Sequence, residues 1–491
     1  MSALDAHSCY QAVLTHDPRF DGVFFVGVAT TRIYCRTVCR ARIPQRQNCS
    51  FYPSAAAAEQ AGYRPCLLCR PELAPGHARI DATGRLAAAV VKRIEAGALE
   101  TQRFEDLAQE LGVSERHLRR AVRQELGVAP MELLQTHRLL LAKQLLTDTV
   151  LPIADIAFAS GFSSLRRFNA LFQERYRLQP SQLRQTKNLP LQDSITCELA
   201  YRPPLDWQAL LDYLAGRAIA GVEIVTGDRY CRTVRLGQHR GWLTVEPVID
   251  QPALQVKLSL SLVPVLLPVL ARVKALFDLA AEPQQIAAHL GALARNHPGL
   301  RVPGAFDGFE IAVRTVLGQQ VSIKAANTLM NRFIQHFGEP TAAPFATLTH
   351  LPPTAETLAQ TDPDAIAALG IVKTRAQAIV ALAQAIANRT LSLQPGGNTE
   401  QTVAQLQTLP GIGPWTAQYI AMRVLGDPDA FPYSDLGIRQ ALNEKNSKQI
   451  LAIAAQWQPW RAYATLHLWK SLERQKSQVQ PAPVSAVISA T

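Results

Sequence analysis

No stretch of this 491-residue chain is apolar for long enough, without a break, to cross a bilayer comfortably. The most apolar window, residues 258–280, is interrupted by Pro264, Pro268, Arg272 and Lys274. It reads as the end of a strand followed by a buried or amphipathic helix. The opening residues, MSALDAHSCYQ, lack the basic and apolar regions of a secretory signal. The expectation is a cytoplasmic protein with no membrane partner, in a compartment where disulfides are rare. Its eight cysteines then need another account. Acidic residues are also short, 39 against 50 Lys and Arg, for a formal net charge of +11. Residues 1–187 hold 25 basic and 17 acidic side chains, and the remainder 25 and 22. A basic front half suggests an anionic partner, nucleic acid first, with a merely solvated basic surface as the alternative. The length is too great for one ordinary core and suggests about three or four domains.

Four of the cysteines are spaced with purpose. Cys35-x3-Cys39 is followed after 26 residues by Cys66-x2-Cys69. This is the spacing of a four-thiolate zinc site, each pair gripping the metal from one turn. Cys9, Cys49, Cys197 and Cys231 stand in unrelated contexts and are expected as small core residues. Around the first pair lie Arg32, Arg36, Arg40, Arg42 and Arg46. Guanidinium groups there would set a phosphate backbone beside a nucleophile. On these residues, segment 21–71 (DGVFFVGVATTRIYCRTVCR through YRPCLLCRP) resembles the methyl-phosphotriester repair domain of Ada-type proteins. The resemblance covers about the first 75 residues. It implies that Cys35 is both a zinc ligand, with Cys39, Cys66 and Cys69, and the acceptor of a methyl group from an alkylated DNA phosphate. One zinc ion is expected and no other cofactor. The Pro-Cys-His-Arg motif of Ada proteins that repair alkylated guanine is absent, so that activity is not expected.

Residues 104–127 follow with a helix-turn-helix plan. Apolar positions 104, 107, 108 and 111 share a helix face, Gly112 suits the turn, and Ser114 can cap a helix carrying Arg116, His117, Arg119, Arg120 and Arg123. Residues 153–178 repeat it, with Gly161 at the turn, Ser163 as the cap, and Arg166, Arg167 and Asn169 on the next helix. A helix from Pro130 joins the two units. A pair with this linker resembles the AraC-type DNA-binding domain, over about 83–185. The resemblance implies two recognition helices in adjacent major grooves, with polar side chains reading bases and other Arg and Lys holding phosphate. A purely structural helical scaffold is the alternative.

The second half starts helical at 203, suggests three or four antiparallel strands over 220–262, and is mostly helical from 266 to about 475. Leu409-Pro410-Gly411-Ile412-Gly413 lies between two helical stretches. Gly411 and Gly413 would let backbone N–H groups approach a phosphate. Asp435 follows in FPYSDLGI, where one carboxylate can stabilise a sugar cation or orient water. An aspartate there also has the look of a helix N-cap. Together with PGAFDGFEIAVRTVLGQQVSIKAANTL (303–329) and PWRAYATLHLWKSL (459–472), these segments resemble AlkA-type 3-methyladenine DNA glycosylases over roughly 190–475. The resemblance implies that Asp435 assists cleavage of the N-glycosidic bond of a flipped alkylated base. Trp415, Tyr419 and Trp469 would line the base pocket, core packing being their alternative. Bifunctional relatives carry a Schiff-base lysine where this chain has Trp415, so base release without strand cutting is expected. The residue that wedges into the base stack is leucine in well-known members and Gln320 here.

The expected fold is therefore multidomain, mainly α with α+β parts. It divides into a zinc domain (1–76), an all-α double helix-turn-helix (83–185), a small antiparallel-sheet domain (190–300), an all-α helix-hairpin-helix glycosylase domain (301–475) and a disordered tail (476–491). Residues 72–82 and 184–196 read as linkers. Expected partners are double-stranded DNA, both alkylated and promoter, and RNA polymerase, in the bacterial nucleoid; no oligomer is expected. Two other readings are a transcription activator whose glycosylase half is inactive and a repair enzyme without regulation.

Overall fold

The computed structural model describes residues 5–74, 82–95, 97, 103–184 and 193–479. The chain opens with α1 (Ala6–Leu14), capped by Asp5. A four-stranded sheet follows in the order β3 (Cys49–Tyr52), β1 (Phe25–Val28), β2 (Ile33–Cys35), β4 (Arg64–Pro65). β2 and β4 pair in parallel, with Tyr34 opposite Pro65. That pairing matters because β2 ends at Cys35 and β4 runs straight into Cys66, so the two cysteine turns are delivered side by side. Helix α2 (Ala55–Gln60) packs on this sheet, its first turn capped by Ser54.

The next seven helices are α3 (Ala82–Glu95), α4 (Phe104–Glu110), α5 (Glu115–Leu126), α6 (Pro130–Asp148), α7 (Ile153–Ala159), α8 (Leu165–Tyr176) and α9 (Pro180–Leu183). Gly112 and Gly161 take left-handed φ of 68° and 81° in the two turns, as a tight helix-helix corner needs. Ser114 caps α5 as expected. The cap of α8 is Ser164, whose Oγ accepts from the Arg167 N–H, and not the expected Ser163. Phe162 is drawn into the core after the turn, which leaves Ser163 exposed and delays the helix by one residue.

A five-stranded antiparallel sheet comes next, in the order β5 (Ser194–Ala200), β9 (Ala253–Ser259), β8 (His239–Pro247), β7 (Arg229–Leu236), β6 (Glu223–Thr226). β5 lies partly inside the segment expected as a linker. Its inward residues Ile195, Cys197 and Leu199 alternate with half-buried ones, and its partner β9 is some sixty residues away. Residues 185–192 lie outside the described residues. The linker expected from residue 72 also begins too early. The Glu72 carboxylate is buried, accepting two bonds from Lys143 Nζ (2.7 and 2.8 Å) and one from Arg70 Nε (3.1 Å). Residues 75–81 lie outside the described ones.

Helices α10 (Trp207–Ala215) and α11 (Leu266–Leu276) share a core with that sheet, α12 (Pro283–Leu290) joins the C-terminal helices, and the window 258–280 is indeed strand end plus buried helix. The remaining helices are α13 (Gly308–Leu317), α14 (Ile323–Phe337), α15 (Ala355–Ala359), α16 (Pro363–Ala367), α17 (Lys373–Ala387), α18 (Thr399–Thr408), α19 (Pro414–Ile420), α20 (Leu436–Leu442), α21 (Ser447–Ala454) and α22 (Arg461–Val479). α22 runs to Val479, past the start of the expected tail, and residues 480–491 lie outside the described ones. Among the described residues no helix is long and apolar enough to cross a membrane.

Two cores dominate. One fills the C-terminal helices, from Ile286 and Phe309 to Trp460 and Leu468. The other crosses an expected domain border: Leu139, Leu145, Phe168 and Phe172 of the helix-turn-helix part pack with Ile195, Leu254 and Leu266 of the sheet part. Cys197 and Cys231 are buried on β5 and β7, as small core residues should be.

The zinc part is joined to α6 through a buried carboxyl. Glu59 accepts from Tyr34 Oη (3.0 Å) and Thr136 Oγ1 (2.8 Å). Burial pushes its pKa up from 4.5 to about 7, against the lowering pull of those hydroxyls and of Arg175. The folded state therefore holds this proton more tightly than the unfolded chain does. Its stabilising share is full below pH 4.5 and is lost as pH rises to about 7. Thermal melts between pH 5 and 8 should show wild type losing stability relative to Glu59→Gln as pH rises; parallel curves would sink this assignment.

Candidate thiol and carboxylate sites

The Sγ atoms of Cys35, Cys39, Cys66 and Cys69 lie within 4.8 Å of one another, the first three buried and Cys69 half-buried. Backbone bonds hold the cluster: Cys66 N–H donates to Tyr34 O (3.0 Å) and Cys39 N–H to Arg36 O (3.3 Å). Arg36 N–H also points at Cys69 Sγ (3.4 Å). Without a cation, the Cys35 thiol is pushed far up, first by its bonds to Cys39, Cys66 and Cys69 and then by burial. Four soft donors so placed fit a tetrahedral zinc ion.

Arg36 does not face outward to DNA as expected. It is only 7% exposed, clamps the Asp21 carboxylate with Nε and Nη2, and donates from Nη1 to Cys69 O (3.2 Å). A guanidinium buried in this pair fixes the second cysteine turn and has no face left for phosphate. Arg40, Arg42 and Arg46 are exposed. Arg46 lies over the rings of Phe51 (5.2 Å) and Tyr10 (5.9 Å). On α5, Arg116, Arg119 and Arg120 are exposed. Arg119 pairs with Glu115 (2.6 Å) and covers Phe104, while Arg120 meets His117 Nδ1 (3.2 Å). Arg166 and Arg167 are exposed in the first turn of α8.

In the C-terminal part, α18 and α19 are joined by the Gly411–Gly413 hairpin. Gly411 needs its glycine, with φ +75° and Ala378 Cβ 3.0 Å from where a side chain would start. Gly413 caps α19 at φ −90° and faces open space, so neither backbone conformation nor internal packing demands a glycine there. Gln320 stands exposed and left-handed (φ 53°) at the turn between α13 and α14. Its neighbour Gln319 ties that turn to the hairpin, donating from Nε2 to Gly411 O (2.8 Å) and Thr416 Oγ1 (2.9 Å).

Asp435 is the helix cap the sequence allowed, and it also lies among aromatic side chains. Its Oδ1 caps α20 by accepting from Ile438 N–H (3.1 Å). The same carboxylate accepts from Trp469 Nε1 at Oδ1 (2.9 Å) and from Trp415 Nε1 at Oδ2 (3.0 Å). Two indoles thus clasp it. Tyr419 stacks on Trp415 (5.4 Å, 24°) and tilts toward Trp469 (6.3 Å). Its hydroxyl meets Tyr213 Oη (2.8 Å), and Arg423 Nη1 donates to both phenols (2.6 and 3.0 Å). Burial raises the Tyr419 pKa, but Arg423 and Arg217 outweigh it and bring the phenol to about 8. Tyr213, Arg423 and Gln319 were not foreseen. Tyr213 lies some two hundred residues upstream on α10, and no local pattern marks it.

Gly437 packs directly on the clasp: a Cβ there would meet Trp469 Cδ1 at 2.8 Å and Asp435 Oδ1 at 3.0 Å. Gly437→Ala should displace the carboxylate by a fraction of an ångström and lower turnover at this site roughly ten- to a hundredfold. Single-turnover kinetics beside a melting curve would check this; full activity would mean the clasp tolerates displacement.

These features define a multidomain DNA-binding protein that combines a zinc domain, paired helix-turn-helix units and a helix-hairpin-helix glycosylase module. Family models match in the same order. They are the metal binding domain of Ada (residues 8–72), a helix-turn-helix domain (107–186), the AlkA N-terminal domain (196–307) and the HhH-GPD superfamily base excision DNA repair protein (313–449). A Mycobacterium tuberculosis protein described as a probable bifunctional transcriptional activator/DNA repair enzyme AlkA is 37% identical over 97% of this chain and 98% of its own. Escherichia coli DNA-3-methyladenine glycosylase 2 is 41% identical over 55% of this chain and 95% of its own. The E. coli bifunctional transcriptional activator/DNA repair enzyme Ada is 38% identical over 25% and 33%. The chain belongs to the family of bifunctional Ada/AlkA proteins, and its four-cysteine cluster is one zinc site.

Proposed function

We propose that this protein senses DNA alkylation with one half and repairs it with the other. Cys35 takes a methyl group from a methyl-phosphotriester in double-stranded DNA. The thiolate sulfur forms the new S–CH3 bond, the ester C–O bond breaks, and the electron pair leaves with the phosphate diester anion. Zinc, held by Cys35, Cys39, Cys66 and Cys69, keeps the thiol ionised near neutral pH. Arg40, Arg42 and Arg46 hold the backbone. Methylation removes a negative charge facing phosphate, so affinity for promoter DNA rises. Arg116, Arg119, Arg120, Arg166 and Arg167 serve the two recognition helices, and bound protein recruits RNA polymerase within the nucleoid. The units are the zinc domain (1–76), the double helix-turn-helix (83–185), the sheet domain (190–300) and the glycosylase domain (301–475).

The C-terminal half excises alkylated purines such as 3-methyladenine. Gly411 and Gly413 admit the DNA backbone and Gln320 fills the gap in the base stack. The flipped base lies against Trp415, Tyr419 and Trp469. As the N-glycosidic bond breaks, its electron pair leaves with the base and positive charge grows on the sugar. The carboxylate of Asp435 stabilises that charge; water then adds its oxygen to the sugar carbon and loses a proton. The observation that carries this reading is the clasp itself: a single carboxylate fixed by Trp415 and Trp469 beside the hairpin.

Trp415 occupies the position of a Schiff-base lysine and offers no amine. Incubation with alkylated duplex DNA should release methylpurine and leave strands intact until alkali is added. Borohydride should trap no covalent complex; a trapped complex, or nicks before alkali, would refute the monofunctional mechanism.

A further inference from the structure

The residue preceding the methyl acceptor reaches out of the zinc domain. Tyr34 is wholly buried; its carbonyl holds the Cys66 N–H (3.0 Å) and its hydroxyl donates to Glu59 (3.0 Å). Glu59 sits on α2, which is wedged against both helix-turn-helix units. At one end of α2, Ser54 Oγ donates to Leu126 O (2.6 Å), the last residue of recognition helix α5. At the other end, Glu59 accepts from Thr136 on α6 (2.8 Å). Tyr176, the last residue of recognition helix α8, faces the same carboxylate. Its hydroxyl is buried and near enough to lower the Glu59 pKa, yet it makes no hydrogen bond of good geometry. Tyr176 also ends a ladder of rings along α8, through Phe172 (4.8 Å) to Phe168 (5.5 Å).

We propose that Glu59 is a partner-exchange switch that carries the state of Cys35 to recognition helix α8, releasing Tyr34 and taking Tyr176 when Cys35 is methylated. The inference rests on Cys35 being the methyl acceptor. A methyl group on Cys35 adds bulk to a buried sulfur that lies within 4.8 Å of three others. β2 therefore moves, and Tyr34 with it. A buried carboxyl that loses a donor costs about 1–3 kcal/mol unless it finds another. The waiting donor is the Tyr176 hydroxyl. Packed cores respond to such a change by repacking between discrete arrangements and not by yielding continuously. The charge lost at the zinc site and the shift of α8 are thus two separate consequences of one methylation.

The experiment is amide hydrogen exchange, read by mass spectrometry, on the full zinc-loaded chain. Spectra are taken before and after incubation with an oligonucleotide carrying one methyl-phosphotriester, and methyl on the Cys35 peptide is scored in the same run. In wild type, exchange over residues 168–176 should slow roughly tenfold on methylation, the factor for one net hydrogen bond. Tyr34→Phe should show the slowed pattern before any methylation. Tyr176→Phe should accept methyl at the wild-type rate and show no change on α8. A methylated Cys35 with unchanged exchange on α8 in wild type overturns the switch and leaves the methyl-acceptor reading intact. So does a Tyr176→Phe variant that responds like wild type. No methyl on Cys35 removes the acceptor reading and the switch together.

Discussion

Asp435→Asn should lower release of alkylated purine by roughly two to three orders of magnitude, the range for losing one electrostatic stabiliser of a transition state. The substitution is informative because little else changes. Asparagine caps a helix about as well as aspartate, so α20 should start where it does now. The amide is isosteric, so Trp415 and Trp469 keep their places. It differs in charge and in one donor: its NH2 meets an indole N–H where the carboxylate oxygen had accepted one. That mismatch should cost about 1–3 kcal/mol of stability, visible as a lower melting temperature. Base release from alkylated duplex DNA under single-turnover conditions, with thermal melts alongside, separates the two effects. If the variant keeps a tenth or more of wild-type excision, the carboxylate charge does not drive the chemistry. The pocket would then work by binding and distortion alone.

On the proposed role of Cys35, Cys35→Ala should abolish methyl acceptance outright, because the attacking atom would be gone. Zinc would still have Cys39, Cys66 and Cys69 but would be held more weakly, with one thiolate of four missing. Excision by the C-terminal half should stay within about twofold of wild type, since distant sites without shared partners act independently. Methyl transfer from an isotopically labelled phosphotriester oligonucleotide and base release can be measured on one preparation. Label appearing on Cys39, Cys66 or Cys69 in the variant would move the nucleophile to another thiol. Loss of excision would show that the zinc part supports the glycosylase half physically.

Local chemistry made much of this protein legible. Metal-ligand spacing, helix caps and glycine turns are short-range patterns, and the zinc cluster, Gly112, Ser114, Gly161 and the Gly411 turn follow from them. Asp435 was legible only as an ambiguity, since a helix cap and a catalytic carboxylate share one sequence signature. The fold made it a cap and also brought two indoles to it, because Trp469 arrives from α22 to complete the clasp. Errors fell where burial decides. Arg36 looked like a phosphate ligand among other arginines until Asp21 was found against it. Glu72 looked like linker until Lys143 was found beneath it. β5 looked like linker because its partner β9 lies some sixty residues away.

The sequence by itself determined the parts: four thiols for one zinc, two helix-turn-helix units, and a glycine hairpin followed by an aspartate with no lysine beside it. Only the tertiary structure decided how those parts meet. It set Tyr213 and Arg423 behind Tyr419, joined the second helix-turn-helix unit and the sheet in one core, and placed α2 against the helical part, with Ser54 on the end of α5 and Glu59 on α6. The reason is one of range. Spacing and capping act over a few residues and leave a mark in the chain. Burial, by contrast, is settled among residues tens to hundreds apart, and a side chain's charge or hydroxyl acquires its role only from the partner that packing brings to it.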